Sequence, residues 1–582
     1  MRISRLLVLL LAAAAPAFAA EPAPVAARHG MVVTAQHIAS EVGASVLAHG
    51  GNAVDAAVAV GYALAVTYPA AGNLGGGGFM TIRMADGRAT FLDFREKAPL
   101  AATPTMFLGA NGEPDREKSW SSWLAVGVPG SPAGLEAARV RFGTMSRQAL
   151  MAPAITLARN GFVLTPNDLG LFAALRARLA ADPATARIFL PGGQVPAPFS
   201  RFRQPDLART LALISAEGPR RAFYDGPIGA AIVAASKQGG GILSARDLAA
   251  YHVRWLTPVT CVYRGYTIIS APPPSSGGVT LCESLNILSG DNLAAEGFHS
   301  AAEIHDLAEA MRRAFHDRNL RLGDPAFVTN PVALLTSQSY AAQLRAGIAP
   351  DKATPSASLS ASPPTSANEK PQTTQYSIVD RFGNAVSVTY TLNGFFGIGR
   401  VAPGTGILLN NEMDDFAAKP GTANMFGLVQ GDANAVAPGK TPLSSMTPTI
   451  LTRNGKLALV TGSPGGPRII TTVLQDIVNM VDFGMNVAEA IDAPRIHEQW
   501  LPDVIFTEPF ALSADTAAKL TAEGYTLRQQ GTWSDAQAIS VGSPTLSPPP
   551  PERYRIAPYL PGATLFGATD VRGPSGLAVP VN

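Results

Sequence analysis

The sequence predicts an α/β protein of layered α+β type, built round a large core. Three observations predict it. Apolar residues make up 47% and charged residues 15% of the 582, which suits a globular chain and excludes global disorder. Runs with helical spacing and runs with strict alternation follow one another, and the alternating ones concentrate after residue 373. The 56 glycines and 48 prolines supply many turns to join them. Two cysteines are too few for a disulfide scaffold or a cysteine-ligated metal cluster.

Residues 1–19 read as a cleavable signal peptide. Arg2 and Arg5 precede an apolar run at 6–15 that is too short to span a bilayer, and Ala17-Phe18-Ala19 offers an A-x-A cleavage site. No later stretch is long and apolar enough for a membrane anchor. Without the leader the 45 basic residues lose Arg2 and Arg5 and equal the 43 acidic ones. A neutral chain without basic runs argues against nucleic acid as a partner. Export would permit a Cys261–Cys282 disulfide, although spacing alone does not establish one.

Residues 35–66 read as two helices broken at Gly50-Gly51, with Asn52 capping the second. Gly75-Gly76-Gly77-Gly78 leads into a strand at 79–82. A second strand at 90–95, ending on Arg95, follows the turn Asp86-Gly87. From about 130 to 320 the pattern is mostly helical, with Ile304, Leu307, Met311 and Phe315 on one face. Residues 351–372 are rich in Ser, Ala and Pro, lack aromatics and read as a flexible loop. Alternating runs at 374–379 and 385–390 then join through Gly383-Asn384. A strand at 457–461 passes through Gly462-Ser463-Pro464-Gly465-Gly466 into a helix at 468–481. The Pro-rich run at 547–551 reads as a surface insertion.

Several familiar chemistries fail. Gly439-Lys440-Thr441 is not a P-loop, because Asn434 stands where its first glycine belongs. His497-Glu498 lacks the second histidine of a zinc-protease helix, Leu501 being there. Met80 breaks a dinucleotide-binding glycine pattern, and no serine sits in a G-x-S-x-G elbow. His305 and His316 lie on a helical pattern and read as solvated or capping.

The junction Gln372-Thr373-Thr374 is more informative. It is either the plain β-branched start of a strand or a cleavage point. Cleavage would make Thr373 an N-terminus, whose own amine can serve its hydroxyl as general base. Gly462–Gly466 is a tight turn or a backbone oxyanion site at a helix N-terminus. The cluster Asn410-Asn411-Glu412-Met413-Asp414-Asp415 suits an ammonium group or a solvated loop. Ser444-Ser445 offers two hydroxyl donors. Arg95 is a carboxylate clamp or half of a structural salt bridge.

At these residues the chain resembles the gamma-glutamyltranspeptidases, which are N-terminal nucleophile hydrolases. The stretches that carry the resemblance are GGNAVDAAVAVGYALAVTYP, AGNLGGGGFM, LDFREKAP, PPPSSGG, TTQYSIVD, GNAVSVTYTLN, LLNNEMDDFAAKPG, GDANAVAPGKTPLSSMTPTI and TGSPGGPRIITTVLQ. They run from about His29 to the C-terminus. The resemblance implies a four-layer αββα sandwich built by a large subunit, 20–372, and a small one, 373–582, which together form a heterodimer from one precursor. It implies cleavage between Gln372 and Thr373, with Thr373 as nucleophile and Thr391 as its hydrogen-bonding partner. Arg95, Ser444 and Ser445 would hold the α-carboxylate of the glutamyl group. Asn393, Glu412 and Asp415 would hold its α-amino group, and Gly465 and Gly466 would form the oxyanion hole. The implied activity is transfer of γ-glutamyl from glutathione or similar compounds to water or to an amino acid or peptide acceptor. No metal or organic cofactor is implied, and the leader implies a periplasmic or secreted enzyme. There is one departure: Phe426 stands in the lid where many bacterial relatives carry a tyrosine. The rivals are a glutaryl-type (cephalosporin) acylase on the same scaffold and an unprocessed exported binding protein.

Overall fold

The computed structural model describes residues 22–359, 373–548 and 560–582. The leader 1–19, Gln372 and most of the Pro-rich run lie outside the described residues, as does the stretch 360–372 of the expected loop. In chain order the main elements are β1 (Val25–Ala27), β2 (Gly30–Thr34), α1 (His37–Ala48), α2 (Ala53–Thr67), β3 (Gly77–Arg83), β4 (Ala89–Asp93), α3 (Ser131–Phe142) and α4 (Arg147–Asn160). After further helices come β5 (Arg254–Leu256), β6 (Val259–Tyr263), β7 (Tyr266–Ser270), α5 (Gly277–Leu288) and α6 (Ala301–Arg321). Past residue 373 follow β8 (Thr374–Val379), β9 (Ala385–Thr391), β10 (Thr449–Arg453), β11 (Lys456–Thr461), α7 (Arg468–Val481), α8 (Val487–Asp492), β12 (Gln537–Val541), β13 (Leu565–Thr569) and β14 (Leu577–Val581).

The strands make two seven-stranded sheets, in the orders β14-β2-β8-β9-β3-β4-β5 and β1-β13-β12-β11-β10-β7-β6. Helices α1, α2 and α3 cover the first sheet, while α5 and α8 cover the second, with α7 packed on both of these. The sheets face each other through Met31, Val33, Ile269, Ile450, Val460 and Ile539, all buried. This is the expected αββα sandwich. Each sheet is interleaved: β8 pairs with β2 on one side and β9 on the other, and β9 pairs with β3. Neither the chain before 373 nor the chain after it completes a sheet.

Local chemistry explains the elements. Asn52 caps α2 by accepting from the N–H groups of Val54 and Asp55, and the Asp55 carboxylate returns a bond to the Asn52 N–H at 3.0 Å. Helix α2 is buried at every residue, which its alanines and valines permit because it lies between a sheet and outer helices.

The region read as mostly helical contains the β6–β7 hairpin. Its turn, Arg264-Gly265, has both residues at positive φ, the twist a two-residue hairpin requires. Cys261 on β6 is bonded to Cys282 on α5, tying the second sheet to its helix layer. Part of the expected flexible loop is docked instead. Residues 356–359 form a helical turn whose Ser356 is buried, donating its N–H to Asp503 at 2.7 Å and accepting from the Trp500 indole at 3.1 Å. His305 is not solvated either: it is buried, with Nδ1 2.8 Å from the Tyr525 hydroxyl.

Candidate active site

Strand pairing brings Thr373 and Thr391 together. In the β8–β9 register Thr374 lies opposite Tyr390, so the residues flanking that pair meet at the ends of these two central strands. The Thr373 hydroxyl lies 3.3 Å from that of Thr391, which also accepts from the Asn393 N–H at 2.8 Å. Thr373 is buried and has φ +140°, where a β-branched residue is strained on the order of 1–3 kcal/mol.

Arg95 sits two residues beyond β4 rather than on it. Its N–H is held by Asp93 at 2.9 Å and its carbonyl by the Tyr251 hydroxyl at 2.9 Å. Its guanidinium reaches across to the turn Glu412–Asp415 and donates to both Glu412 and Asp415. Two residues expected as the anionic half of a head-group clamp therefore pair directly with the cationic half. Burial pushes the Glu412 carboxyl well up and Asp415 up, against the pull of Arg95.

Two further charged residues complete the cluster, and sequence reading missed both. Glu96 follows Arg95 and is wholly buried. Its carboxyl shares the buried cluster with that of Glu412 and makes no ion pair of its own among the described residues, and burial pushes its pKa up to about 7. Arg318, on α6, donates to Ser445 Oγ at 3.0 Å, to Ser276 Oγ at 3.1 Å and to Gln430 Oε1 at 3.0 Å. Burial lowers its pKa to about 10. No local pattern distinguished Arg318 from the other arginines of that helix; its partners come from segments distant in the chain.

Ser444 and Ser445 lie on a loop held by the Ser275-Ser276 turn, where the Ser276 hydroxyl donates to the Ser444 carbonyl at 2.6 Å. The glycine pair links β11 to α7, with Gly465 at φ +136° and Gly466 at φ +60°. Both values favour glycine, and among the described residues neither N–H has a hydrogen-bond acceptor. Phe426 covers this point: a Cβ on Gly466 would lie 2.7 Å from its ring. Beside it Met425 is held by the Asp414 carboxylate at 3.1 Å, and the Asn393 amide lies 3.5 Å from Met425 Sδ.

Arg95, Arg318, Thr373, Thr391, Asn393, Glu412, Asp415, Phe426, Ser444, Ser445 and Gly466 thus line one small cavity of about 20 Å³. A larger cavity of about 330 Å³ meets it at Thr373 and is walled by Tyr68, Asp168, Phe395, Pro464, Trp533 and Ser534. Every site residue expected from the sequence and described here converges on this place, including Gly465, which adjoins Gly466 and Ser534. Chemically, the arrangement offers a hydroxyl nucleophile, two free backbone donors, and cations facing carboxylates.

A family model described as Gamma-glutamyltranspeptidase matches residues 39–554. The chain is 53% identical over 562 residues to a glutathione hydrolase proenzyme of Pseudomonas sp. (strain A14), covering 96% of each. It is 47% identical over 552 residues to the Escherichia coli (strain K12) glutathione hydrolase proenzyme, covering 94% of this chain and 91% of that one. Among solved structures, the cephalosporin acylase from Bacillus halodurans superposes with TM-score 0.81 at 26% identity, covering 99% of this chain and 100% of the other.

Proposed function

This chain belongs to the gamma-glutamyltranspeptidase family as a glutathione hydrolase-type enzyme made as a self-cleaving precursor, and from that premise we propose that Thr373 carries both its maturation and its catalysis. In the precursor the Thr373 hydroxyl attacks the Gln372 carbonyl. The peptide shifts to an ester, and water hydrolyses it, leaving Gln372 with a carboxylate and Thr373 with a free amine. The strained φ of Thr373 supports this reading, since cleavage releases the constraint.

In the mature enzyme the amine takes the hydroxyl proton as Thr373 attacks the γ-carbonyl of a γ-glutamyl amide. The N–H groups of Gly465 and Gly466 stabilise the developing oxyanion. The proton passes to the departing amine, and the γ-glutamyl ester is resolved by water, releasing glutamate, or by an amino acid or peptide amine. The α-carboxylate takes Arg95, Ser444 and Ser445 as partners, and the α-ammonium takes Asn393, Glu412 and Asp415. Substrate thereby replaces the direct Arg95–carboxylate pairs with pairs of its own. The observation that carries the reading is the convergence of Thr373, the free glycine donors and this charge-matched cluster on one cavity.

The mature form in this reading is a heterodimer of 20–372 and 373–582, exported to the periplasm or beyond by the leader. The Cys261–Cys282 bond supports an oxidising compartment. The acylase likeness favours a second reading, turnover of glutaryl amides. Such substrates lack the α-ammonium and would leave Glu412 and Asp415 without a ligand partner. Comparing a γ-glutamyl anilide with its glutaryl analogue, with and without glycylglycine, tests the two readings. Preference for the glutaryl compound would overturn the first.

A further inference from the structure

A line of buried side chains runs from the helix behind the glycine pair to the loop that covers it. Thr471 lies in the first turn of α7, and its Oγ1 is 2.9 Å from His497 Nδ1. His497 Nε2 is 3.0 Å from Gln499 Oε1. Gln499 Nε2 lies 3.2 Å from the Phe426 carbonyl and 3.2 Å from the Leu501 carbonyl. Thr471, His497 and Gln499 are wholly buried.

Donor and acceptor roles follow from chemistry. Two carbonyls can be satisfied only by an amide NH2, so Gln499 Oε1 faces the imidazole and accepts. His497 therefore carries its proton on Nε2, and Nδ1 accepts from the Thr471 hydroxyl in preference to the Arg468 carbonyl, which lies farther from the same oxygen at 3.2 Å. Burial, aided by the charge of Arg468, pushes the imidazole pKa down to about 3, which keeps it neutral with one proton. The polarity then runs one way, from hydroxyl to imidazole to amide to the main chain of the cover. Phe426 has no hydroxyl of its own, so its ring cannot be hydrogen-bonded in place. Its N–H is occupied within the loop by Asn424 at 3.0 Å. Gln499 is thus the tie from outside the loop to the residue that packs on Gly466.

We propose that Gln499 is a positioning residue for γ-glutamyl transfer, whose amide seats the Phe426 cover against Gly466 and couples it, through His497 and Thr471, to the helix presenting the oxyanion glycines. The proposal rests on the reading of Thr373 and the glycine pair given above and adds what holds the cover down. A seated cover shields the γ-glutamyl ester from bulk water, so loosening it favours hydrolysis over transfer.

The test is Gln499→Leu, which keeps the volume and removes the amide. Anilide release, free glutamate and glycylglycine product are measured on correctly cleaved enzyme. Hydrolysis relative to transfer should rise about 2- to 10-fold, the effect of losing one neutral hydrogen bond, and donor KM should rise more than kcat falls. Deuterium exchange should quicken in peptides spanning 419–430 and stay unchanged in β8 and β9. In a Phe426→Ala background the same substitution should add nothing to the ratio, because the tie acts through the cover. If Gln499→Leu does not mature, Gln499→Asn draws the amide back by one methylene and asks the same question. An unchanged ratio with unchanged lid exchange, or effects additive with Phe426→Ala, would overturn the proposal. Failure of the underlying reading looks different: wild-type enzyme would then make no γ-glutamyl product at all.

Discussion

Thr373 opens a buried strand in a conformation its β-branched side chain resists, and it faces Thr391 across 3.3 Å. Edman sequencing of the small fragment should begin Thr-Thr-Gln-Tyr, and Thr373→Ala should remain one uncut, inactive chain; any other start would sink the assignment. Arg95 makes a second prediction. Arg95→Ala should lower kcat/KM for γ-glutamyl donors by about 2–5 kcal/mol, the cost of leaving buried charges unpaired. Because Arg95 also pairs with buried Glu412 and Asp415, the variant should melt lower as well, an effect Arg95→Lys should partly restore. Self-cleavage should persist in both. A mature Arg95→Ala enzyme with wild-type kcat/KM would refute the clamp. Phe426 supplies a third. Its apolar cover lacks the tyrosine hydroxyl, a bond worth about 0.5–1.5 kcal/mol. Hydrolysis should therefore be strong relative to transfer; Phe426→Tyr should shift the ratio toward transfer and Phe426→Ala toward hydrolysis. Constancy of the ratio in both variants would show that this loop does not govern acceptor choice.

At the scale of elements, the β6–β7 hairpin and α5 are joined covalently, and their closeness is what a disulfide between residues 21 apart requires. Replacing Cys261 and Cys282 together with Ser and Ala should destabilise the fold by about 2–4 kcal/mol through the freed unfolded chain. A thermal melt of the variant against wild type, each with and without reductant, checks this. The wild-type melt should fall with reductant toward that of the variant, and equal melting without reductant would refute it. The elements best read from sequence were those with both ends marked. Helix α7 begins after Gly465-Gly466-Pro467, and its observed bounds, Arg468–Val481, agree with the pattern. The β6–β7 hairpin is hard to read from sequence because its alternation is short and flanked by helical segments on both sides, although Arg264-Gly265 is a usable turn signal.

For the whole molecule, strand interleaving makes the segments before and after residue 373 mutually dependent. Expressed apart, they should not yield stable folded products. Stability should also depend on pH through buried carboxyls. Burial raises Glu96, Asp476 and Glu498 each to about 7. Folded pKa values above the unfolded ones, about 4 for these acids, mean that the native state binds more protons in that interval. Their contribution is therefore full below the unfolded values and is lost as pH rises through about 7. The melting temperature of the unliganded enzyme should fall as pH is raised from about 5 to 8, and Glu96→Gln should flatten that slope. An equal slope in the variant would remove Glu96 from the account.

Short-range chemistry decided much of this protein within the sequence itself. Helix caps, alternating strands, the glycine turn before α7, and long stretches shared with one family located Thr373, Thr391, Arg95, the acidic turn, the serine pair and the glycine pair. Thr391 comes from the family resemblance alone, and each of the others also carries a signal in its neighbours. What only the tertiary structure decided are relations between segments far apart in the chain. Arg318 and Glu96 enter the charge cluster because α6 and the end of β4 meet there. Arg95 and Asp415 pair across the site although 320 residues separate them, and Gln499 reaches Phe426 from a segment 73 residues away. Buried polar partners are chosen by three-dimensional proximity and by the cost of leaving a polar group unsatisfied, and neither leaves a periodic trace in a linear sequence.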